Sequence, residues 1–320
     1  MFRFALRRLI LALPVLFFAI TFAFFVLRLA PGGPFDGERA IPAEVKANLE
    51  AHYHLDKPLI AQYGIYINNV LHGDLGPSFT DRTYSVNEKI AQGLPYTLRL
   101  GGYALLLAVI LGTLSGVIGA FRQNSRLDYI IAFLVLVGIV VPNFVLAPVF
   151  QEYLVKPINA FATHLNGGER LQIFAMSGWG SGGFKHVAIP VIILALPHIG
   201  RISRLMRASM IEILGTNYIR TARAKGIGEN LTITRHALRP AFIPVLSYLG
   251  PAASYLLTGS LVVESIFGLP GIGKFFIDSA LNRDYGMVLG TVIFYMFLIT
   301  ILNLIVDILY AYLDPKVRLG

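Results

Sequence analysis

Six long apolar runs constrain this chain more than anything else in it. They fall at about 9–28, 98–121, 129–154, 187–209, 241–264 and 286–309. A helix needs roughly 20 such residues to cross a bilayer. The sequence therefore predicts an all-α polytopic membrane protein with six transmembrane helices. Composition agrees: 55% of residues are hydrophobic and 14% charged, where a soluble domain carries about a quarter charged.

The first run, LILALPVLFFAITFAFFVLR, follows Arg3, Arg7 and Arg8 and so has the flanks of a signal peptide. Its apolar stretch exceeds a signal h-region and APGGPF offers no good cleavage site, so it reads as a retained span. Six spans place both termini on one side. If that side is cytoplasmic, the inner segments hold fifteen Lys/Arg against four Asp/Glu, while the outer segments hold twelve of each. The inner side then carries +11 and the outer segments no net charge, with Glu264 and Asp307 in or at the spans completing the net +9, as the positive-inside rule expects. This predicts a multi-pass membrane protein with both termini cytoplasmic. Its basic charge would meet anionic lipid headgroups rather than nucleic acid.

The absence of cysteine removes disulfides, Cys-ligated metal sites and thiol nucleophiles. Gly112 and Gly116 form a G-x-x-x-G step, which serves close packing inside the protein or dimerisation. Pro142, Pro190, Pro197, Pro244 and Pro251 are expected to bend their helices. In the long outer segment 31–95, His52 and His54 diverge on a helix, and they read as surface histidines rather than metal ligands.

GLPGIGKF, Gly268 to Phe275, approaches the phosphate-binding G-x-x-x-x-G-K-[ST]. Phe275 stands where a hydroxyl should meet magnesium and no strand precedes it. These glycines and Pro270 instead predict a tight turn or re-entrant structure, and the chain has no visible means of hydrolysing ATP. H-E-x-x-H, G-x-S-x-G and paired carboxylates within a span are absent as well. Glu264, at the end of the fifth run, and Asp307, near the end of the sixth, are intramembrane acids. Each suits a functional or a structural role equally.

The most basic stretch, 201–240, interrupts this oil. Arg201, Arg204 and Arg207 recur every third residue on an extension of the fourth span. Gly215 can end that helix and Thr216 or Asn217 can cap the next. A short helix YIRTARAK closes at Gly226, and a third, ENLTITRHALR, stops at Pro240. In the short helix Thr221, Ala222 and Ala224 leave a low, flat surface ringed by Arg220, Arg223 and Lys225. A rigidly tethered helix of that shape suits the groove of another protein.

RTARAKG…RHALRPA resembles the cytoplasmic loop of the permease subunits of binding-protein-dependent ABC importers, E-A-A-x-x-x-G-x₉-I-x-L-P. Arg220, Thr221 and Ala222 fall on E-A-A, Gly226 on the glycine, and His236 and Leu238 on I-x-L, with Pro240 one residue late. These departures match the oligopeptide/dipeptide branch. HGDLGPSF, VVESIFGLPGIG, NRDYGMVL and DILYAYLDPKVR are similar to that branch too, and RLAPGGPFDGER to the first of its two oligopeptide permease subunits.

The resemblance implies a MetI-like, type I importer core over 96–320 with a coupling loop at 211–240. Residues 1–95 would add a first helix and a long periplasmic segment. It implies that Arg220, Thr221, Ala222, Arg223, Ala224, Lys225, Gly226 and Ile227 dock on a separate ATPase. The partners implied are a second permease subunit, two ATPase subunits that use ATP and magnesium, and a soluble peptide-binding protein. This chain itself would be a non-catalytic subunit that binds no cofactor. Asn143, Ser254, Thr258, Ser260 and Glu264 are path candidates, since polar groups on the spans could line a wet cavity or bond between helices. An ATP-independent secondary transporter or channel for small polar solutes would share the six spans but would not need the basic elbow. A membrane enzyme or a purely structural subunit are further alternatives.

Overall fold

The computed structural model describes residues 2–29, 42–81, 83–259 and 261–313. Among them the fold is helical, with no strand beyond one isolated bridge between Pro77 and Ser85. Among the described residues five helices are long and apolar enough to cross a membrane, or six where one bent pair counts as a span.

That pair is the run expected over 129–154, bent at Pro142 as the proline predicts and sharply enough to break the helix. Helix α5 (Arg126–Val140) stops at the proline, and α6 (Asn143–Phe150) leaves at an angle of 110°. Val141 adopts φ −81° and ψ 121°, the extended conformation that a following proline ring imposes. A π-helical turn, Gln151–Val155, carries α6 into α7 (Lys156–Leu165). Pro190 and Pro197, by contrast, lie within one unbroken helix, α8 (Phe184–Leu214).

The chain forms two compact units, residues 1–97 with 270–304, and residues 98–269 with 305–320. Residues 270–304 therefore group with the N-terminal segment. The first unit contains α1 (Phe2–Leu29), α2 (Ala43–His52), α3 (Leu59–Leu71), α14 (Ile272–Leu281) and the start of α15 (Tyr285–Leu313). The buried carboxylate of Asp284 explains the grouping. It accepts from Ser78 Oγ, from Phe79 N at 3.0 Å, from Thr80 N at 3.3 Å and from Met287 N at 3.0 Å. A Cβ on Gly286 would stand 2.2 Å from the Pro77 carbonyl oxygen, so only glycine lets HGDLGPSF close on NRDYGMVL. Val86, Ile90, Ile272 and Met287 form one apolar core here, and Phe24, Leu289 and Ile293 another.

The near-miss phosphate motif is a turn followed by α14, whose Ile272 N–H donates to Thr97 Oγ at 3.0 Å. Its leading amide is thus committed to the chain's own hydroxyl.

In the second unit the later part of α4 (Val86–Phe121) lies against α8. Added Cβ atoms at Gly112 and Gly116 would approach Ile202 Cβ to 2.7 Å and Met206 Cβ to 2.6 Å. The G-x-x-x-G step therefore serves internal packing. The Asp128 carboxylate, 3% exposed, takes a two-pronged ion pair from Arg207, Nε to Oδ1 at 2.8 Å and Nη2 to Oδ2 at 2.7 Å. The Asn124 amide adds a third bond at 3.0 Å. Such fork geometry holds orientation as well as charge. Arg207 is thereby taken out of the expected basic face and fastens α5 to α8.

Gly116→Ala is expected to lower the thermal unfolding midpoint of the detergent-solubilised chain, costing about 1–3 kcal/mol through overpacking. Gly102→Ala, with nothing within 4 Å of the new methyl, should be neutral or stabilising. Asp284→Ala is expected to cost about 3 kcal/mol by orphaning buried donors, read as faster proteolysis around residues 72–80.

Candidate functional site

The basic elbow begins where α8 ends at Leu214 with Gly215 as its cap. Gly215 has φ −80°, an ordinary helical value, so the stop does not depend on glycine's left-handed freedom. Thr216 occupies the N-cap position of α9 (Asn217–Ala224), but its hydroxyl donates back to Ile213 O at 2.5 Å and leaves α9 uncapped by a side chain.

Helix α9 ends in a Schellman closure. Gly226 N–H reaches Arg223 O at 2.9 Å and Ile227 N–H reaches Ala222 O at 3.2 Å. This requires a left-handed residue at the first position past the cap, and Gly226 supplies φ +74°. Ile219 and Ala222, three apart, turn inward at 0% and 7% exposure. Arg220, Thr221, Arg223, Ala224, Lys225 and Gly226 remain exposed and Ile227 half-buried. Ala222 thus leaves the expected flat patch, because it shares the inward face of Ile219. The outward low surface is Thr221 and Ala224, flanked by Arg220 and Lys225.

Two clamps hold α9 to the returning arm. Arg223 forks onto Glu229, Nε to Oε2 at 3.0 Å and Nη2 to Oε1 at 2.6 Å. Those bonds hold the Glu229 carboxyl below its usual range and raise the Arg223 guanidinium. The second clamp comes from Pro240. It does not stop the third helix as expected, because the arm runs from α10 (Glu229–Leu231) through a π-helical turn, Thr232–Ala237, into α11 (Leu238–Ala241). The wider π turn accommodates the proline ring. Proline has no N–H to offer the carbonyl four residues back, which here is His236. Tyr218 Oη donates to that carbonyl at 3.3 Å. Helix α12 (Ile243–Leu257) follows almost at once, so the elbow links α8 to α12 with little slack.

The path candidates scatter. Asn143, at the start of α6, lines a cavity of about 260 Å³ with Pro142, Pro197, Tyr255 and Val262, and its buried Oδ1 makes no hydrogen bond among the described residues. Thr258 donates back along its helix to Ser254 O at 2.9 Å. Ser254 and Glu264, the latter in α13 (Leu261–Ile266), are 7% and 1% exposed and do not line this cavity. Ser260 and the Asp307 side chain lie outside the described residues.

Sequence reasoning passed over His198. It is 3% exposed, its Nδ1 lies 2.7 Å from Tyr248 Oη, and its ring is 5.4 Å from that of Tyr255 on the cavity wall. The signal was present, since His198 is the one histidine inside a predicted span and directly follows Pro197.

Residues 104–319 match the family described as "Binding-protein-dependent transport system inner membrane component". The oligopeptide transport system permease protein OppB of Escherichia coli K12 is 49% identical over 319 residues, 99% of this chain and 100% of that one. OppB of Haemophilus influenzae is 47% identical, again over 99% and 100%. The dipeptide transport system permease protein DppB of Bacillus subtilis is 41% identical over 93% of this chain and 92% of its own. A structure titled "Crystal structure of an amino acid ABC transporter with histidines" superposes with TM-score 0.52 at 15% identity, over 71% of this chain and 94% of that one, which establishes a shared fold. With its apolar helices and two-thirds of its length within one family match, the chain belongs to the inner membrane components of binding-protein-dependent transport systems.

Proposed function

We propose that this chain is one of two permease subunits of an ATP-driven importer for oligopeptides, and that α9 is its coupling helix. The observation that carries the reading is the clamped α9, an exposed short helix fixed to both α8 and the arm that enters α12. Near-full-length similarity to oligopeptide permeases directs the substrate class. Both termini lie in the cytoplasm, so that the elbow 211–240 meets the ATPase. Two ATPase subunits supply nucleotide chemistry with magnesium, a second permease completes the path, and a soluble peptide-binding protein delivers cargo to the opposite face.

The elbow transmits force because it has few soft joints. Closure of the ATPase pair around nucleotide displaces α9, its two clamps pass that displacement to the arm that enters α12, and the short Gly215–Thr216 joint passes it to α8. A two-state rearrangement of the spans follows, biased by the nucleotide state of the motor. Asn143 and Tyr255, where α6 and α12 face one cavity, are the path residues with the best geometry. Ser254, Thr258 and Glu264 support helix packing beside them.

Ala224→Trp is expected to leave the protein inserted and assembled while lowering ATP-dependent peptide uptake in reconstituted vesicles by about tenfold or more, a loss of coupling comparable to an interface hot spot. Gly226→Pro should act in the same direction by breaking the Schellman closure. Tyr218→Phe, which removes one exposed bond, should reduce coupling by only about twofold. Full uptake by Ala224→Trp, or uptake by the chain with no ATPase present, contradicts the coupling reading and favours a secondary transporter or channel.

A further inference from the structure

The first unit contains a second, unrelated cavity, of about 210 Å³. Its floor includes Arg28, in the last turn of α1, and Tyr66 of α3. Tyr53, Phe79 and Tyr285 wall it, and no aspartate or glutamate lines it among the described residues. Tyr53 and Phe79 pack ring on ring at 4.7 Å. His52 and His54, read from sequence as plain surface histidines, are exposed at its rim.

The guanidinium of Arg28 is fixed in place. Its Nη1 donates to Gln62 Oε1 at 2.7 Å, and its Cζ lies 5.2 Å from the centre of the Phe24 ring. Gln62 cannot swing away, because its Nε2 donates to the carbonyls of Leu55 at 3.1 Å and Lys57 at 2.8 Å. A guanidinium has five N–H donors, and none of the ion pairs among the described residues includes Arg28. The buried hydroxyl of Tyr66 makes no hydrogen bond among those residues either. Burial pushes its phenol well above the ordinary range, which keeps it a proton donor at neutral pH. Asp74, whose charge acts on Tyr66, accepts from Gly76 N at 2.9 Å.

An arginine at the end of a span ordinarily extends its charge to water. Here it is turned into a cavity with a second unused donor beside it. Arg28 is half-buried and has no counter-ion among the described residues; withdrawing a cation from water is costly, and an anion seated on both donors offsets that cost. The position of the site says which anion. Arg28 follows an almost uniformly apolar helix whose flank stays exposed beside it, with Val26 and Leu29 at 48% and 75%. The last turn of a span lies at the depth of lipid phosphates.

We infer that this cavity holds the phosphate of an anionic phospholipid, gripped by the Arg28 guanidinium and the Tyr66 hydroxyl, with the acyl chains running along the exposed flank of α1. The site would fix the end of the first span against the helices of its unit, and it does not depend on the coupling role of α9.

Native mass spectrometry of the full-length chain, extracted in mild detergent and titrated with phosphatidylglycerol, tests this directly. The wild-type chain is expected to retain one phosphatidylglycerol through delipidation. Arg28→Gln should lower that occupancy about tenfold, as loss of a charge-assisted bond to phosphate implies. Arg28→Lys should be intermediate, because an ammonium cannot fork. Tyr66→Phe, which removes a single oxygen and serves if Arg28→Gln fails to fold, should lower occupancy severalfold at an unchanged unfolding midpoint. Equal retention in wild type, Arg28→Gln and Tyr66→Phe overturns the inference. So does displacement of the lipid by millimolar inorganic phosphate, which would make free phosphate the ligand, or by a short peptide carboxylate, which would make this a cargo site.

Discussion

Inside a bilayer no water is available to replace a missing hydrogen bond, and the architecture follows from how each break in a helix is made good. Pro142 breaks the third span, and Val141 turns extended to accommodate it. In the elbow, outside the spans, Pro240 also removes an amide, and there the exposed phenol of Tyr218 takes the freed carbonyl of His236 although water could reach it. The first break turns the helix through 110° and sets Asn143 on a cavity wall. The second binds the short helix α9 to the arm that returns to the membrane. In both places a proline that looks disruptive in sequence creates a directed contact.

The anchorage of the elbow is polar and bidentate while its tip is small and bare. Arg207 and Asp128 fasten α8 to α5, and Gly112 and Gly116 bring α4 against the same helix at backbone distance. Beyond that base, Arg223 and Glu229 close the loop on itself. Thr221 and Ala224 are left outward, with too little side chain to obstruct a partner. A solvated basic loop would not need two forked ion pairs, a Schellman closure and a borrowed carbonyl to fix its shape. The Arg223–Glu229 fork is exposed and weakened by salt, so its service is to orientation more than to stability.

Much of this was legible in the sequence. Spans announce themselves by length and apolarity, and the elbow by charge and by Gly226, whose position required left-handed backbone. Faces and long-range partners were harder to read. Ala222 looks like its neighbour Ala224, and only its spacing from Ile219 distinguishes inside from outside. Arg207 looks like Arg201 and Arg204 until Asp128, far away in sequence, claims it. Asp284 and Ser78 are separated by 206 residues, and no local pattern reports that HGDLGPSF and NRDYGMVL close on each other. His198 was visible as the sole histidine of a span, but its meaning depends on Tyr248 and Tyr255 arriving from another helix.

Because the chain contains no cysteine, a thiol placed at Ala224 is unique in it, and crosslinking from that position in intact membranes tests the coupling role most directly. The proposed docking predicts that Ala224→Cys, treated with a short bifunctional reagent, joins a nucleotide-binding subunit. It also predicts that Ala222→Cys, facing inward, does not. Labelling of the Ala224 thiol by a membrane-impermeant reagent applied outside the cell, or equal crosslinking from both positions, would contradict it.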